Sequence, residues 1–126
     1  MNIATVSSET VWKDVKKNIE QTEHHVQEVL RLFPKTQVIL FPEISLAGFI
    51  VDSSNQNIAQ SVDGDAVSEI KRMAKQYHVA LICGMVEKND GGKPFNTQFV
   101  ISKDGELLAK YHKNHLFTEG AEPEVF

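Results

Sequence analysis

The chain has 126 residues, a formal net charge of −4, and 41% apolar and 24% charged residues. This length and composition are typical of one globular domain, residues 1–126, and the lack of a basic excess argues against nucleic acid or an anionic membrane surface as a partner. No stretch approaches the roughly 20 apolar residues of a membrane span, and the first residues lack the pattern of a signal peptide. Cys83 is the single cysteine, which excludes an internal disulfide, so we expect a reducing, cytoplasmic location.

The first third of the chain predicts a strand, a helix and a second strand. Ile3–Val6 is a short apolar stretch typical of a strand. Apolar residues then recur at steps of three and four from about Asp14 to Phe33, which predicts an amphipathic helix with Asp14 as its N-cap and Pro34 as its stop. Val38–Phe41 is an unbroken apolar run and predicts a strand that is buried on both faces.

The next elements are a long loop and a second helix. Ile44–Gln60 has no clean period, and loops of this length in a small domain are often functional. Asp63–Asp65 offers an N-cap for an amphipathic helix that runs to Tyr77.

Three further strands are predicted in the second half of the chain: Val79–Val86, Phe95–Ser102 and Leu107–His112. Turn signals at Asn89–Gly92 and Lys103–Glu106 join them as antiparallel hairpins. The last nine or so residues show neither a helical nor a strand period.

This order of elements predicts a mixed α/β sheet. Crossovers through the two helices imply neighbouring parallel strands, and the hairpins imply antiparallel ones. Two helices can cover only one face of such a sheet. A second layer on the other face must therefore come from elsewhere.

Glu43 comes directly after the buried strand that ends in Phe41 and Pro42. Pro42 cannot donate a ladder hydrogen bond, so Glu43 is placed at the C-terminal end of the strand, where ligands bind in open α/β sheets. This position also fits an ordinary surface carboxylate. The apolar neighbours that follow, including Ile44 and Ile50, favour a raised pKa, which suits a general acid or base.

Lys113 lies between His112 and His115, straight after the last predicted strand. An exposed lysine is one interpretation, but the adjacent Leu116 and Phe117 favour a partly buried loop, where an ammonium can stabilise a developing oxyanion. The two histidines do not lie on a predicted helix and have no acid or cysteine at ligand spacing on both sides, so we expect no metal. No glycine-rich phosphate loop follows the early strands, and no cofactor is expected.

Two other groups of residues have plain structural interpretations. Cys83 lies in the middle of an apolar strand and predicts an inert packing residue rather than a nucleophile. Glu119, Glu122 and Glu124, with Gly120 and Pro123 between them, are typical of an exposed acidic loop.

The stretch Phe41–Glu43, followed by Leu46–Gly48, and the stretch Tyr111–Phe117 together resemble the nitrilase superfamily of carbon–nitrogen hydrolases. The resemblance extends over the whole chain. It implies half of an α-β-β-α sandwich and a Glu-Lys-Cys site that hydrolyses amides, carbamoyl amines or nitriles through a thioester-type intermediate. It assigns the general base to Glu43, the oxyanion-stabilising position to Lys113, and a further glutamate to Glu122, with Glu119 as the second choice.

The chain departs from the family at the nucleophile. The family's cysteine follows a further strand beyond the lysine, and its members are about twice this length, so the chain resembles an N-terminal portion. A carboxylate and an ammonium can hold a ligand, but without a thiol they cannot form the covalent intermediate. We therefore expect this chain to be inactive alone. We expect the complete enzyme to act on a small amide or nitrile. We also expect the chain to form a homo-oligomer or to pair with a missing C-terminal half.

An alternative is a non-catalytic binding or assembly module. Such a module would cover its bare sheet face with another chain.

Overall fold

The computed structural model describes residues 1–49 and 52–126, with the side chains of Ser53 and Gln56 outside the description. Ile50, which the sequence groups with the apolar neighbours of Glu43, lies outside the described residues. The strands are β1 (Ile3–Thr5), β2 (Val38–Leu40), β3 (Ala80–Glu87), β4 (Phe95–Ile101) and β5 (Leu107–His112). The helices are α1 (Val15–Leu32), α2 (Asp65–Tyr77) and the short α3 (Glu122–Val125), and a 3₁₀ helix spans Ser53–Ile58.

The five strands form one mixed sheet in the order β1-β2-β3-β4-β5. The pairs β1·β2 and β2·β3 are parallel, while β3·β4 and β4·β5 are antiparallel. The crossovers that join the parallel strands contain α1 and α2, as the order of elements predicts. The mixed α/β sheet predicted from the sequence is therefore confirmed.

Both long helices pack on the same face of the sheet. Val26 of α1 and Met73 of α2 belong to one core cluster with Leu81, Cys83 and Phe99, and all five are 0% exposed. Each fully buried large apolar side chain of this kind stabilises the fold by roughly 1.5–3 kcal/mol. The expected arrangement, with helices on one face as in half of an α-β-β-α sandwich, is confirmed.

The described residues cover the opposite face only at one end. There Ile44 and Val86 are buried and pack with Ile58 and Phe126 in a second cluster. Away from that end the face carries half-buried apolar side chains (Val38, Leu40, Ile82 and Val100). The covered end is the one at which β2 stops.

The ends of α1 follow the sequence closely. The Asp14 side chain accepts a hydrogen bond from the backbone of Lys17 at 2.9 Å and caps the helix. Phe33 is the C-cap residue, and its N–H donates to the carbonyl of Val29 at 2.7 Å. Phe33 completes the predicted apolar stripe in the sequence, but its side chain is 63% exposed because it lies beyond the last helical turn.

The N-cap of α2 lies where the sequence predicts it. Gly64, within Asp63–Asp65, is the N-cap residue, and it makes no side-chain capping bond. The final residues do contain a helix, Glu122–Val125, with Pro123 in its first turn. Four residues make little more than one turn, which is too short to produce a periodic pattern.

None of the helices that the structure describes combines the length and the apolar character needed to cross a membrane.

Candidate active site

Glu43 lies where the pairing of β2 with β3 stops. The ladder ends at Leu40, and the N–H of Phe41 still donates to the carbonyl of Ile82 at 2.9 Å. Pro42 has no N–H to continue the ladder. The side chain of Glu43 therefore emerges at the C-terminal end of a central strand and is 47% exposed.

The turn that follows Glu43 packs directly against Gly84 of β3. Ile44 has a positive φ of 51°, and the turn brings the N–H of Leu46 to the carbonyl of Gly84 at 3.0 Å. The N–H of Gly84 in turn donates to the hydroxyl of Ser45 at 3.1 Å. A Cβ on residue 84 would lie 2.3 Å from the backbone nitrogen of Ile44, so this close approach requires glycine.

Asn18 of α1 is hydrogen-bonded to the same turn. Its side chain is 2% exposed, accepts a hydrogen bond from the N–H of Val11 at 2.7 Å and donates to the carbonyl of Leu46 at 3.1 Å. A polar residue on the buried side of α1 thus connects the helix to the segment that carries Glu43.

Lys113 is the first residue after β5. Its N–H donates to the carbonyl of Asn96 at 2.9 Å, which extends the pairing with β4 by one step. The Nζ atom lies 2.8 Å from Oε1 of Glu43 and 3.0 Å from each carboxylate oxygen of Glu122. The structure thus brings together all three residues that the family resemblance selects.

Glu122 begins α3, and its side chain is 3% exposed. Besides Lys113, it accepts a hydrogen bond from the N–H of Phe117 at 2.7 Å through Oε2. The expectation of an exposed acidic loop is wrong for this residue and correct for Glu119, which is exposed. Of the two glutamates that the sequence left open, Glu122 is the one that contacts Lys113.

The pKa of Glu43 is lowered rather than raised, which corrects the sequence expectation. Burial alone raises the pKa, but the hydrogen bonds from Lys113 and Asn96 and the charge of Lys113 outweigh it. Burial lowers the pKa of Lys113, whereas the hydrogen bonds and charges of Glu43 and Glu122 raise it by more. Both groups are therefore ionised at neutral pH, and Glu43 is a proton acceptor in that state.

A cavity of about 270 Å³ opens beside this pair on the face opposite the helices, and it is lined by Glu43, Asn96, Gln98, Tyr111 and Lys113. Its volume is close to the lower limit for small-molecule sites. A larger cavity of about 830 Å³ lies between β1 and the end of α1, but no carboxylate is among its lining residues. Of these two cavities, the smaller is therefore the one that offers a carboxylate for acid–base chemistry.

Cys83 lies on the other side of the sheet from this cavity. It is 0% exposed within the core beneath the helices, and burial raises the pKa of its thiol. Its interpretation as an inert packing residue is confirmed.

Sequence reasoning missed Glu87, a buried acid at the end of β3. Its carboxylate accepts hydrogen bonds from Thr97 at 2.8 Å, from Nε2 of His112 at 2.9 Å and from Lys110. The ring of His112 also stacks on Phe95, with 4.0 Å between centroids. This cluster links β3, β4 and β5 on the face of the sheet that the helices cover. It also fixes the side chain of His112, the residue before Lys113.

Among the residues that the structure describes, no group of three or more His, Cys, Asp or Glu side chains is arranged to hold a metal ion.

Comparison with known proteins extends these observations. The family model for carbon–nitrogen hydrolases matches residues 2–126. A probable nitrilase of Schizosaccharomyces pombe is 33% identical over 119 residues, which cover 92% of this chain and 44% of that protein. A formamidase of Bacillus cereus is 29% identical over 102 residues, which cover 79% of this chain and 31% of that protein.

The same fold occurs in a solved structure, a carbon–nitrogen hydrolase from Helicobacter pylori. The two share a TM-score of 0.87 at 21% identity, over 98% of this chain and 43% of that one. The chain thus spans less than half the length of the relatives that it matches.

Proposed function

Since this chain belongs to the carbon–nitrogen hydrolase family, we propose that residues 1–126 form the N-terminal portion of an enzyme that hydrolyses non-peptide carbon–nitrogen bonds. The substrate is a small amide, carbamoyl amine or nitrile, a class that the names of the nitrilase and formamidase relatives support. The expected cytoplasmic location stays a prediction and rests on the single cysteine.

The ion pair of Lys113 with Glu43 and Glu122 is the observation that carries this proposal. In the proposed mechanism Glu43 takes the proton of a cysteine thiol, and the thiolate attacks the carbonyl carbon of an amide. Negative charge then develops on the carbonyl oxygen, beside the ammonium of Lys113. The protonated Glu43 passes its proton to the leaving amine, and water later hydrolyses the resulting thioester.

Glu122 holds Lys113 in this scheme. A lysine side chain has several rotatable bonds, and ordering it costs conformational entropy. The buried carboxylate of Glu122, itself fixed by the N–H of Phe117, keeps the ammonium in place before substrate arrives.

The nucleophile must come from outside these 126 residues. Cys83 is buried on the wrong side of the sheet, and it is the single cysteine of the chain. We propose that a further segment or another chain places a cysteine at the cavity beside Glu43.

Ammonia release from a panel of simple amides tests this proposal. We expect no turnover from the 126-residue chain and none from Cys83→Ser. Activity that the substitution abolishes would identify Cys83 as the nucleophile, and activity that survives it would contradict the need for a cysteine. The coding sequence after Phe126 offers a second test, since we expect a cysteine that follows an apolar strand.

The incompletely covered sheet face favours a second candidate function, a binding or assembly module. Leu40, Ile82 and Val100 are half-buried there, whereas Leu81 and Phe99 on the helical face are 0% exposed. We propose that another chain, either a second copy or the C-terminal half, covers these side chains.

A further inference from the structure

Asn96 makes two separate connections at the cavity. It lies in β4 and is 5% exposed. Its side-chain Nδ2 donates to Oε1 of Glu43 at 2.5 Å, and its backbone carbonyl accepts the N–H of Lys113 at 2.9 Å. Asn96 therefore contacts both Glu43 and Lys113, which come from distant parts of the chain.

The two oxygens of Glu43 are not equivalent. Oε1 accepts hydrogen bonds from Lys113 at 2.8 Å and from Asn96 at 2.5 Å. Among the described residues, none donates to Oε2. The lone pairs of Oε2 are therefore the ones available to an incoming proton.

From this geometry we infer that Asn96 is a positioning residue that aligns Glu43 so that Oε2 is the proton-accepting atom, while its backbone sets the position of Lys113. The inference rests on the proposed function, because it takes Glu43 as the base.

An amide suits this position better than a charged group. An ionised carboxylate only accepts hydrogen bonds, so the group that faces it must be a donor, and the NH₂ of asparagine is one. It donates without adding charge. Lys113 thereby stays the one cation among the described residues that line the cavity.

Replacing the side chain of Asn96 distinguishes positioning of Glu43 from a purely structural role in the pairing of β4 with β5. That pairing uses its backbone carbonyl, which any residue at position 96 supplies. Replacing the side chain therefore removes the contact with Glu43 and leaves the contact with the Lys113 backbone in place.

The test is an NMR titration of the Glu43 carboxyl carbon in the 126-residue chain, with Glu43→Gln to assign the signal. Asn96→Ala should raise the pKa of Glu43, because a donor to its ionised form is lost. Asn96→Asp should raise it further, since a second carboxylate then lies beside the first. Gln98→Ala, on the same strand and lining the same cavity, is the matched control and should leave the pKa unchanged.

Hydrogen exchange of the Lys113 amide completes the experiment. Protection should persist in Asn96→Ala if the backbone contact is independent of the side chain. An unchanged pKa of Glu43 in Asn96→Ala, or a change equal to that in Gln98→Ala, would overturn the inference. If Asn96→Ala does not fold, Asn96→Leu, which is uncharged and close in size, decides by the same criterion.

Failure of this inference and failure of the proposed function can be told apart. The titration needs no turnover and reports only on the contact of Asn96 with Glu43. The proposed function fails instead if the enzyme completed by its nucleophile keeps its activity after Glu43→Gln.

Discussion

At the scale of single residues, the site is defined by how carboxylates are paired rather than by how apolar their neighbours are. Glu43 lies in the turn after β2, Glu87 ends β3 and Glu122 begins α3. Each accepts a hydrogen bond from a lysine. Apolar neighbours in the sequence predict a raised pKa for Glu43, but they do not show the donors that folding brings from β4 and the end of β5. The sign of the shift therefore could not be predicted from the sequence.

Protonation of Glu87 at low pH should lower the free energy of unfolding. Burial raises the pKa of this carboxyl, but the hydrogen bonds from Lys110, Thr97 and His112 lower it by more, to below its ordinary value of 4.5. Glu87 therefore contributes stability that is present above pH 4.5 and is lost as the pH falls through its folded-state pKa.

Urea denaturation between pH 7 and pH 2 measures this loss. The free energy of unfolding should fall less steeply below pH 4.5 in Glu87→Gln than in the unmodified chain. Glu106→Gln, in the exposed turn between β4 and β5, should keep the steep fall. Equal slopes for Glu87→Gln and the unmodified chain would contradict the prediction.

At the scale of elements, the contact between β3 and the turn after β2 sets the position of Glu43. Gly84→Ala places a methyl group against the backbone of Ile44, and neither strand nor turn can yield without losing hydrogen bonds. We expect a loss of about 2–3 kcal/mol in the free energy of unfolding, typical of overpacking in a core.

Chemical denaturation measures the effect, and Gly92→Ala is its matched control. A Cβ at Gly92 would have its nearest neighbour at 3.8 Å, in the exposed turn between β3 and β4, so stability should change little. If Gly84→Ala were as stable as Gly92→Ala, the close approach would not be what fixes the turn.

The long elements could be predicted from the sequence, and the short contacts between them could not. The 3.6-residue period of α1, its Asp14 cap and the apolar run of β2 are local patterns. The structure contains both elements, but Val38 and Leu40 are half-buried, so β2 is not buried on both faces as the run predicts. Asn18 and Asn96 carry no such signal, because their roles depend on partners 28 and 53 residues away. The positions of Glu43 and Lys113 after predicted strands made them candidates, although both also fitted ordinary surface charges. The family resemblance assigned their roles and added Glu122.

At the scale of the whole molecule, the two faces of the sheet should respond differently to a charge. Val100 and Phe99 are neighbours in β4 with opposite orientations: Val100 is half-buried on the incompletely covered face, and Phe99 is 0% exposed in the core. Val100→Lys should leave the fold intact and disrupt association through that face, whereas Phe99→Lys should unfold the chain.

Size-exclusion chromatography with light scattering, together with circular dichroism, measures both outcomes. The unmodified chain should elute as an oligomer and Val100→Lys as a folded monomer. A well-behaved monomer for the unmodified chain would count against pairing through this face.

The position of Lys113 also bears on the order in which the chain folds. Its contact with Glu43 closes a span of 70 residues, whereas β3, β4 and β5 pair through short hairpins. Contacts between residues close in sequence form at a lower entropic cost than those that close long loops. We expect the antiparallel half of the sheet to form first. The contact of Lys113 with Glu43 then forms only when β2 docks. In a refolding experiment, this contact should therefore appear in the last step.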